Sequence, residues 1–348
     1  MRTARDFELT KACRSNSPAV LPQFKLELWT QAMSNTLASQ MASLNAQGIT
    51  VWLRFAYEMN GAWMDFGQDP VEYVAVWQQV VTAVRAVAPS TYFLWSPNIY
   101  APSVGGISGY SEYYPTAAYV DLAGISYYSL GGNQVQNDLA GPTDFSDSFQ
   151  TFYDTYSPAH PIVISETSAP EHYIIPANSP YINLPSDSEI PGGADSLDFS
   201  QLVPANTTND KTPVSEVTRK STWFEEMTGA AAVALYPKLF AVMWFNLAKT
   251  GGYLDVIRLN DYRAVKTADD PVTQYFRTAI GNETAYQLNI VSSADSSSPF
   301  STLSPTLAGS AVAKASGLTT SKASGSTRLQ VCLVLGSAWL FGMLAVLV

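Results

Sequence analysis

The chain has 348 residues, a net charge of −10 and only 14% charged residues, with 8 Trp, 19 Tyr and 15 Phe. This acidic balance argues against a nucleic-acid partner, because phosphate binding requires a basic face. A neutral ligand that stacks on aromatic rings, such as a sugar, fits the composition. An acidic surface that only keeps the protein soluble is the simpler explanation of the charge alone.

Cysteine and histidine are too rare to build a disulfide framework or a zinc site. The two cysteines are Cys13 and Cys332, and Cys332 lies in an apolar tail. The two histidines are His160 and His172. We therefore expect no metal and no cofactor.

Helix and strand patterns alternate along the first 280 residues. Apolar spacing and capping residues predict helices at 26–48, 69–89, 144–158, 218–235 and 269–280. Runs of β-branched and aromatic residues predict strands at 49–57, 91–98, 120–128, 161–167 and 239–246. The polar stretch 168–215 has no clear period and is typical of an active-site loop or an insertion.

This alternation predicts a parallel sheet, either a barrel or a doubly wound sheet. No GxGxxG or Walker pattern follows any predicted strand, which disfavours a nucleotide-binding sheet. Five strands are predicted, whereas a closed barrel needs eight.

Two glutamates, Glu58 and Glu166, stand at the ends of different predicted strands. Alternation of side chains places Arg54 on the face of Glu58, and Ile162 and Ile164 on the face of Glu166. Retaining glycoside hydrolysis uses such a pair, in which one carboxyl protonates the leaving oxygen and the other, about 5–5.5 Å away, attacks the anomeric carbon. Either glutamate alone could be structural. The pair favours catalysis, because an unpartnered carboxylate among apolar strands would be costly.

Four motifs in register carry a resemblance to a known family. They are "LRFAYEMNGAW" (53–63), "FLWSPN" (93–98), "VISET" (163–167) and "NDYRAV" (260–265). Together they resemble glycoside hydrolase family 26, the β-mannanase family within the clan of retaining (β/α)8 glycosidases. The resemblance runs from about residue 28 to residue 282.

The resemblance implies a role for each matching residue. Glu58 would be the general acid/base and Glu166 the nucleophile. Tyr128 would donate a hydrogen bond to the nucleophile, and Trp244 would floor the central sugar subsite. Further substrate contacts are expected from Asn60, Trp63, Trp95 and Asn98. For each aromatic residue the alternative is packing in the core.

The resemblance also implies a (β/α)8 TIM barrel over residues 26–285, after an irregular segment 1–25. The family's acid/base ends the fourth strand, whereas only 48 residues precede that strand here. We therefore expect an incomplete barrel that lacks the first one or two βα units, and a truncated N-terminus.

The predicted function is retaining hydrolysis of a β-linked polysaccharide such as mannan, by double displacement, in a monomeric protein. Tyr57 stands where the family has a histidine, which leaves the sugar open. The alternative function is a catalytically inactive or truncated carbohydrate-binding protein of the cell surface.

The C-terminal region predicts a membrane attachment. A Ser/Thr-rich linker, 286–330, precedes the uncharged stretch 331–348, which is just long enough to span a bilayer. Small residues at 323–325 complete the pattern of a glycosylphosphatidylinositol anchor signal, with a retained transmembrane helix as the alternative. An anchored protein is secreted or displayed on the cell surface, yet residues 1–24 contain no apolar signal segment, which again suggests a missing N-terminus.

Overall fold

Strands alternate with helices in the part of the chain that the computed structural model describes, namely residues 25–99, 109–179, 181–184, 190, 197–253, 256–282, 286–287, 329–334 and 343–347. The helices are α1 (Gln31–Ala46), α2 (Pro70–Arg85), α3 (Asp144–Tyr156), α4 (Glu216–Thr228), α5 (Ala230–Leu235) and α6 (Pro271–Asn282). The strands are β1 (Val51–Phe55), β2 (Thr91–Trp95), β3 (Leu122–Ser126), β4 (Ile162–Thr167), β5 (Glu171–Ile174), β6 (Leu239–Phe245), β7 (Ala248–Tyr253), β8 (Val256–Asp261), β9 (Tyr286–Gln287), β10 (Leu329–Val334) and β11 (Met343–Leu347).

Five neighbouring strands in the order β1-β2-β3-β4-β6 are mutually parallel and form a curled half-barrel sheet. Helix α2 connects β1 to β2, α3 connects β3 to β4, and α4 with α5 lies between β4 and β6. These five strands are the five predicted from the sequence. The sheet fits an incomplete (β/α)8 barrel, and the number of missing units stays a prediction.

A second, antiparallel sheet in the order β5-β8-β7 follows the carboxyl ends of β4 and β6. Strand β5 lies inside the stretch 168–215, which the sequence predicted only as a loop or insertion. Its residues include Glu171 and His172, and both are buried. Polar residues in a buried strand erase the hydrophobic alternation by which strands are recognised.

The C-terminal strands lie along the edges of the main sheet. Strand β11 pairs antiparallel with β1, while β10 pairs parallel with β6 and also with β9. Residues 1–24 of the predicted N-terminal segment, 288–328 of the predicted linker, and 335–342 and 348 of the predicted tail lie outside the described residues. Among the residues that the structure describes, no helix has the length and apolar character needed to cross a membrane.

Helix boundaries follow local capping chemistry. Helix α2 begins where the Asp69 side chain accepts a hydrogen bond from the backbone N–H of Glu72 (3.0 Å), with Pro70 in the first turn. The single helix predicted at 218–235 is two helices that break at Gly229.

The main sheet has two differently filled faces. On the helix side, Trp77 of α2 packs against Phe55 and Phe93, with ring centroids 6.3 and 5.9 Å apart. The inner face is filled by a smaller apolar cluster, composed of Trp52, Leu94, Leu122, Val163, Ala241 and Met243. Polar side chains replace this cluster toward the carboxyl ends of the strands, and they form the candidate site.

Candidate active site

A buried arginine, Arg54 on β1, joins four strands of the sheet. Its guanidinium forms an ion pair with Glu166 on β4, although its side chain is only 1% exposed. The same group donates to Ser96 Oγ after β2 (2.8 Å) and to Ser126 Oγ at the end of β3 (2.5 Å). Burial alone would lower the pKa of Arg54, but the carboxylates of Glu166 and Glu58 raise it above its usual value.

Glu58 reaches the site because the chain leaves β1 earlier than the sequence predicted. Strand β1 ends at Phe55, and Ala56 and Glu58 have positive φ angles of 43° and 52°. Such angles in residues other than glycine cost about 1–3 kcal/mol and persist only where surrounding contacts enforce them. Here the backbone N–H of Glu58 donates to the Ser96 carbonyl at 2.8 Å, which fixes the turn.

This turn also changes the position of Tyr57. Regular alternation would direct its ring to the helix side, opposite Arg54. Instead the Arg54 guanidinium lies 4.4 Å from the centroid of the Tyr57 ring, a cation–π contact on the side of the site.

Both carboxylate oxygens of Glu58 accept hydrogen bonds from neutral donors. Trp63 Nε1 donates to Oε2 at 2.7 Å, and Asn98 Nδ2 donates to Oε1 at 3.0 Å. Burial raises the pKa of Glu58, and the nearby charge of Glu166 raises it further, while Arg54 acts in the opposite direction. A raised pKa is what a general acid requires at neutral pH.

Glu166 is turned into the site by an irregularity in β4. The pairing register of β4 shifts between Ile164 and Thr167, and the register of β3 shifts beside it. Ile162 and Ile164 belong to the helix-side core, so the prediction that they share the inner face with Glu166 is wrong. A count by strict alternation of side chains fails here, because the bulge adds one residue to β4 and the residues after it face the side opposite to the one the count gives.

Tyr128 and Arg54 both hold the carboxylate of Glu166. The hydroxyl of Tyr128 donates to Oε1, and Arg54 contacts Oε2. Burial, followed by the charges of Glu166 and Glu58, raises the pKa of Tyr128 well above its usual value. Tyr128 therefore remains a hydrogen-bond donor at neutral pH.

Asn60 and Asn98 form a reciprocal pair beside Glu58. Asn60 Nδ2 donates to the Asn98 carbonyl at 2.7 Å, and the Asn98 N–H donates to Asn60 Oδ1 at 2.9 Å. Asn60 is buried, so its contact with Asn98 orients the amide that binds Glu58.

Trp63 is the exposed aromatic side chain of the site. Half of its surface is exposed (50%), although its indole N–H is bound to Glu58. A Cβ at Gly61 would lie 2.3 Å from this ring, so residue 61 must be glycine for the indole to reach the carboxylate. An exposed ring beside a carboxylate is a suitable surface for the apolar face of a sugar.

Trp95 and Trp244 lie outside the cluster around the two glutamates, which corrects the expectation that they contact substrate. Trp95 is fully buried on the helix side, with ring centroids 5.2 Å from Tyr114 and 4.9 Å from Tyr156. Trp244 is buried against Phe276 at 4.8 Å. In both cases strand parity directs the ring toward the helices.

Two aromatic residues that were not predicted from the sequence pack beside Tyr128. Phe245 and Tyr262 lie beside Tyr128, with ring centroids 6.1 and 5.8 Å from it. The next residue along β6 has the opposite parity to Trp244, so a parity count from the inner residues Ala241 and Met243 could have found Phe245.

A cavity of about 480 Å³ adjoins Tyr128. Its lining is largely polar and includes Ser129, Asp138 and Lys211, but it does not include the two glutamates. A polar cavity of this size is within the range of small-ligand sites. Among the described residues, no group of three or more His, Cys, Asp or Glu side chains is arranged to hold a metal ion.

A pair of glutamates at the carboxyl-terminal edge of a parallel βα sheet is the arrangement of glycoside hydrolases with an α/β-barrel fold. Residues 15–148 match the family described as Glycosyl hydrolase family 26. The family resemblance predicted from the sequence is thereby confirmed over this segment of the chain. The matched segment contains Glu58 and ends before Glu166.

Curated relatives share part of the chain at low identity. A mannan endo-1,4-beta-mannosidase of Bacillus subtilis is 27% identical over 130 residues, which are 33% of this chain and 35% of the relative. Endoglucanase H of Acetivibrio thermocellus is 27% identical over 143 residues, which are 37% of this chain and 15% of the relative. The chain thus spans about a third or less of the length of these relatives.

Solved structures give a weaker similarity. A family 26 domain of an endo-beta-mannanase/endo-beta-glucanase from Prevotella bryantii is 19% identical, with a TM-score of 0.33, over 40% of this chain and 42% of that one. A beta-(1,4)-mannanase from Podospora anserina is 19% identical, with a TM-score of 0.30, over 39% of this chain and 27% of that one.

Proposed function

We propose that this protein is a retaining glycoside hydrolase that cleaves a β-linked, mannan-like polysaccharide by double displacement. The observation that carries the proposal is the pair Glu58 and Glu166. The two residues come from different strands, surround one buried arginine, and are held by different kinds of donor.

In the first step the Glu166 carboxylate attacks the anomeric carbon, and a covalent glycosyl-enzyme forms. Glu58 donates its proton to the glycosidic oxygen, so the leaving sugar departs as a neutral alcohol. The raised pKa of Glu58 keeps this proton available near neutral pH. Arg54 and Tyr128 orient the carboxylate of Glu166 during the attack.

In the second step water replaces the enzyme at the anomeric carbon. Glu58 is now a carboxylate and takes a proton from the attacking water, and Glu166 leaves as a carboxylate. Two inversions give overall retention. Asn98 and Trp63 donate to Glu58 and stabilise its ionised form between the two steps.

Substitution of the two glutamates in the full chain tests this function. Glu58→Gln should lower hydrolysis of mannan by about 10²–10⁴-fold, and Glu166→Gln should lower it at least as strongly. Glu72→Gln, which changes a first-turn residue of α2, serves as the matched control and should stay within twofold. Full activity of either site variant would contradict the proposal.

The same assay separates the function from its alternative and compares two substrates. Mannan and β-glucan oligomers should both be supplied, because the names of the two relatives refer to a mannosidase and an endoglucanase. Products with retained anomeric configuration would support the enzyme. Binding without product release would support a silent carbohydrate-binding protein instead.

We also propose that residues 331–348 attach the protein to the cell surface, because this stretch is uncharged and follows a Ser/Thr-rich linker. The same residues cannot be in a membrane attachment and in strands β10 and β11 along the sheet edges at the same time. Release from cells by a phosphatidylinositol-specific phospholipase would support a lipid anchor. Retention after that treatment would favour a transmembrane helix.

A further inference from the structure

Tyr262 packs against Tyr128, which in turn contacts the candidate nucleophile Glu166. Its ring lies at 77° to the ring of Tyr128, with centroids 5.8 Å apart, and Tyr128 donates to Glu166. Phe245 completes the group, 5.3 Å from Tyr262 and 6.1 Å from Tyr128. Tyr262 and Phe245 thus form the aromatic surface that packs against the Tyr128 ring.

The main chain of Tyr262 is held by three hydrogen bonds from the regions around β4 and β6. Its N–H donates to the Leu247 carbonyl at 3.0 Å. Its carbonyl accepts from Trp244 Nε1 at 2.7 Å and from Ser168 Oγ at 2.8 Å. Ser168 follows Glu166 by two residues, so this contact couples Tyr262 to the segment that carries the nucleophile.

The residues on either side of Tyr262 are fixed by buried charges. Asp261 accepts from Arg263 Nε and Nη2 at 2.8 and 3.0 Å, and it forms an ion pair with Lys266 at 3.1 Å. The ammonium group of Lys220 on α4 donates to the carbonyls of Asp261 and Arg263 at 2.8 and 2.7 Å.

Lys220 and Asp261 are both inaccessible to solvent. Buried charge clusters of this kind often add little net stability compared with apolar packing, but removal or displacement of one partner is costly because it leaves a charge unpaired. A shift of the chain at Tyr262 would separate the neighbouring charges, so the cluster restricts the position of Tyr262.

We propose that Tyr262 is a positioning residue for hydrolysis, which holds Tyr128 at the nucleophile Glu166. Trp244 and the Lys220–Asp261–Arg263 cluster hold Tyr262 in turn. The inference rests on the proposed function, and it assigns to Trp244 a role in alignment in place of contact with sugar.

Three variants of the full chain test this role. Tyr262→Ala should lower kcat about 10-fold or more with KM changed less than twofold, because small displacements of a nucleophile are costly. Tyr262→Phe retains the ring contact and should keep at least half of kcat. Tyr153→Ala is the matched control, because Tyr153 is 8% exposed and Tyr262 is 7% exposed, and Tyr153 on α3 packs against Tyr236 on the helix side of the sheet. The control should leave kcat unchanged.

A chemical readout separates alignment from general loss of structure. An activated 2-fluoro glycoside should label Glu166, and the labelling rate, measured by intact mass, should fall in Tyr262→Ala in parallel with kcat. Equal effects of Tyr262→Ala and Tyr153→Ala would overturn the proposal. Activity that survives Glu166→Gln would instead overturn the function on which it rests.

Trp244→Phe provides a test that does not remove a ring from the core. The variant keeps the contact with Phe276 but removes the N–H that binds the Tyr262 carbonyl. A decrease in kcat of about two- to fivefold at unchanged KM is expected. An increase in KM at unchanged kcat would mean that Trp244 contacts the sugar, and it would overturn the proposal even if Tyr262→Ala failed to fold.

Discussion

Glu58 and Glu166 are held by partners of different character. Glu58 lies on a turn with positive φ angles, and its carboxylate accepts from an amide and from a half-exposed indole. Glu166 lies on a bulged strand, and its carboxylate contacts a buried guanidinium and a partly buried phenol. Neutral donors let a carboxyl group gain and lose a proton at little cost, whereas a guanidinium suits a carboxylate that attacks as an anion.

Both glutamates follow apolar strands of the same sheet, so the type of partner around each carboxylate is what supports the two different roles proposed for them. We therefore expect substitutions around Glu166 to lower both the stability of the protein and its activity. Substitutions around Glu58 should mainly change the pH dependence of the activity.

The largest effect is expected from Arg54→Met. Removal of the guanidinium leaves Glu166 without its cation, and loss of one member of a buried pair costs about 3–5 kcal/mol. Hydrolysis should fall at least about 100-fold, because the nucleophile loses its orientation. Urea unfolding and initial rates measure the two effects.

Arg85→Met is the control for Arg54→Met. Arg85 forms a partly exposed ion pair with Asp121 at 2.9 Å, and such pairs contribute about 0–1 kcal/mol. Comparable destabilisation by the two substitutions would contradict the special position of Arg54.

Tyr128→Phe should produce the next largest effect. The variant keeps the ring but removes the hydroxyl that binds Glu166, and kcat should fall about 10- to 100-fold. Tyr127→Phe is the matched control, because the hydroxyl of Tyr127 donates to the Asp144 carbonyl on the helix side. The control should lose about 1 kcal/mol of stability without loss of activity. Loss of activity in Tyr127→Phe but not in Tyr128→Phe would contradict the placement of Tyr128 in the site.

The amino-acid sequence contains enough information for the parallel strands and for the pairing of Glu58 with Glu166. Strand-end position is a local property, and the apolar runs that precede both residues are unambiguous. Asn98, Asn60 and Trp63 were predicted as substrate contacts, and that role stays a prediction. The structure places Asn98 and Trp63 in hydrogen bonds with the Glu58 carboxylate, and Asn60 in a hydrogen bond with Asn98.

The orientation of individual side chains could not be predicted, because it depends on backbone irregularities. Positive φ at Ala56 turns Tyr57 toward Arg54, and the bulge in β4 separates Glu166 from Ile164. The second sheet was missed for a different reason. Its buried polar residues are satisfied by long-range partners, such as Asn260 for His172 (2.7 Å), which no local pattern reveals.

A smaller effect, confined to pH dependence, is expected from Trp63→Phe. Loss of the indole N–H removes a donor that stabilises the ionised form of Glu58, so the pKa of Glu58 should rise. The basic limb of the kcat/KM profile should move to higher pH by about 0.5–1 unit. Stability should change little, because half of the ring is exposed.

Trp95→Phe should give the opposite pattern to Trp63→Phe, namely a loss of stability without a change in pH dependence. Its indole N–H donates to the Tyr113 carbonyl at 3.1 Å within the helix-side core. This substitution should lower the free energy of unfolding by about 1–3 kcal/mol and leave the pH profile in place. A displaced basic limb in Trp95→Phe would show that the Trp63 effect is not specific to Glu58.

The smallest effect concerns Glu226 on α4. Burial raises the pKa of Glu226 to about 7, and the charge of Asp144 adds to the shift, while the Phe145 N–H at 3.4 Å acts against it. A raised pKa in the folded state means that this group's contribution to stability is complete below pH about 4.5 and is lost as the pH rises through about 7.

Glu226→Gln should therefore resemble the parent chain at pH 4.5 and exceed its stability at pH 8. The gain should be about 1 kcal/mol or less, because solvent screens a half-exposed group. Urea unfolding at the two pH values measures it. Glu225→Gln removes an exposed charge from the same helix turn, keeps an acceptor for the Tyr275 hydroxyl that binds Glu225 at 2.6 Å, and controls for net charge. An equal gain in both variants would assign the effect to overall charge. A gain only in Glu226→Gln would show that the folded state holds this partly buried carboxyl at a cost that rises with pH.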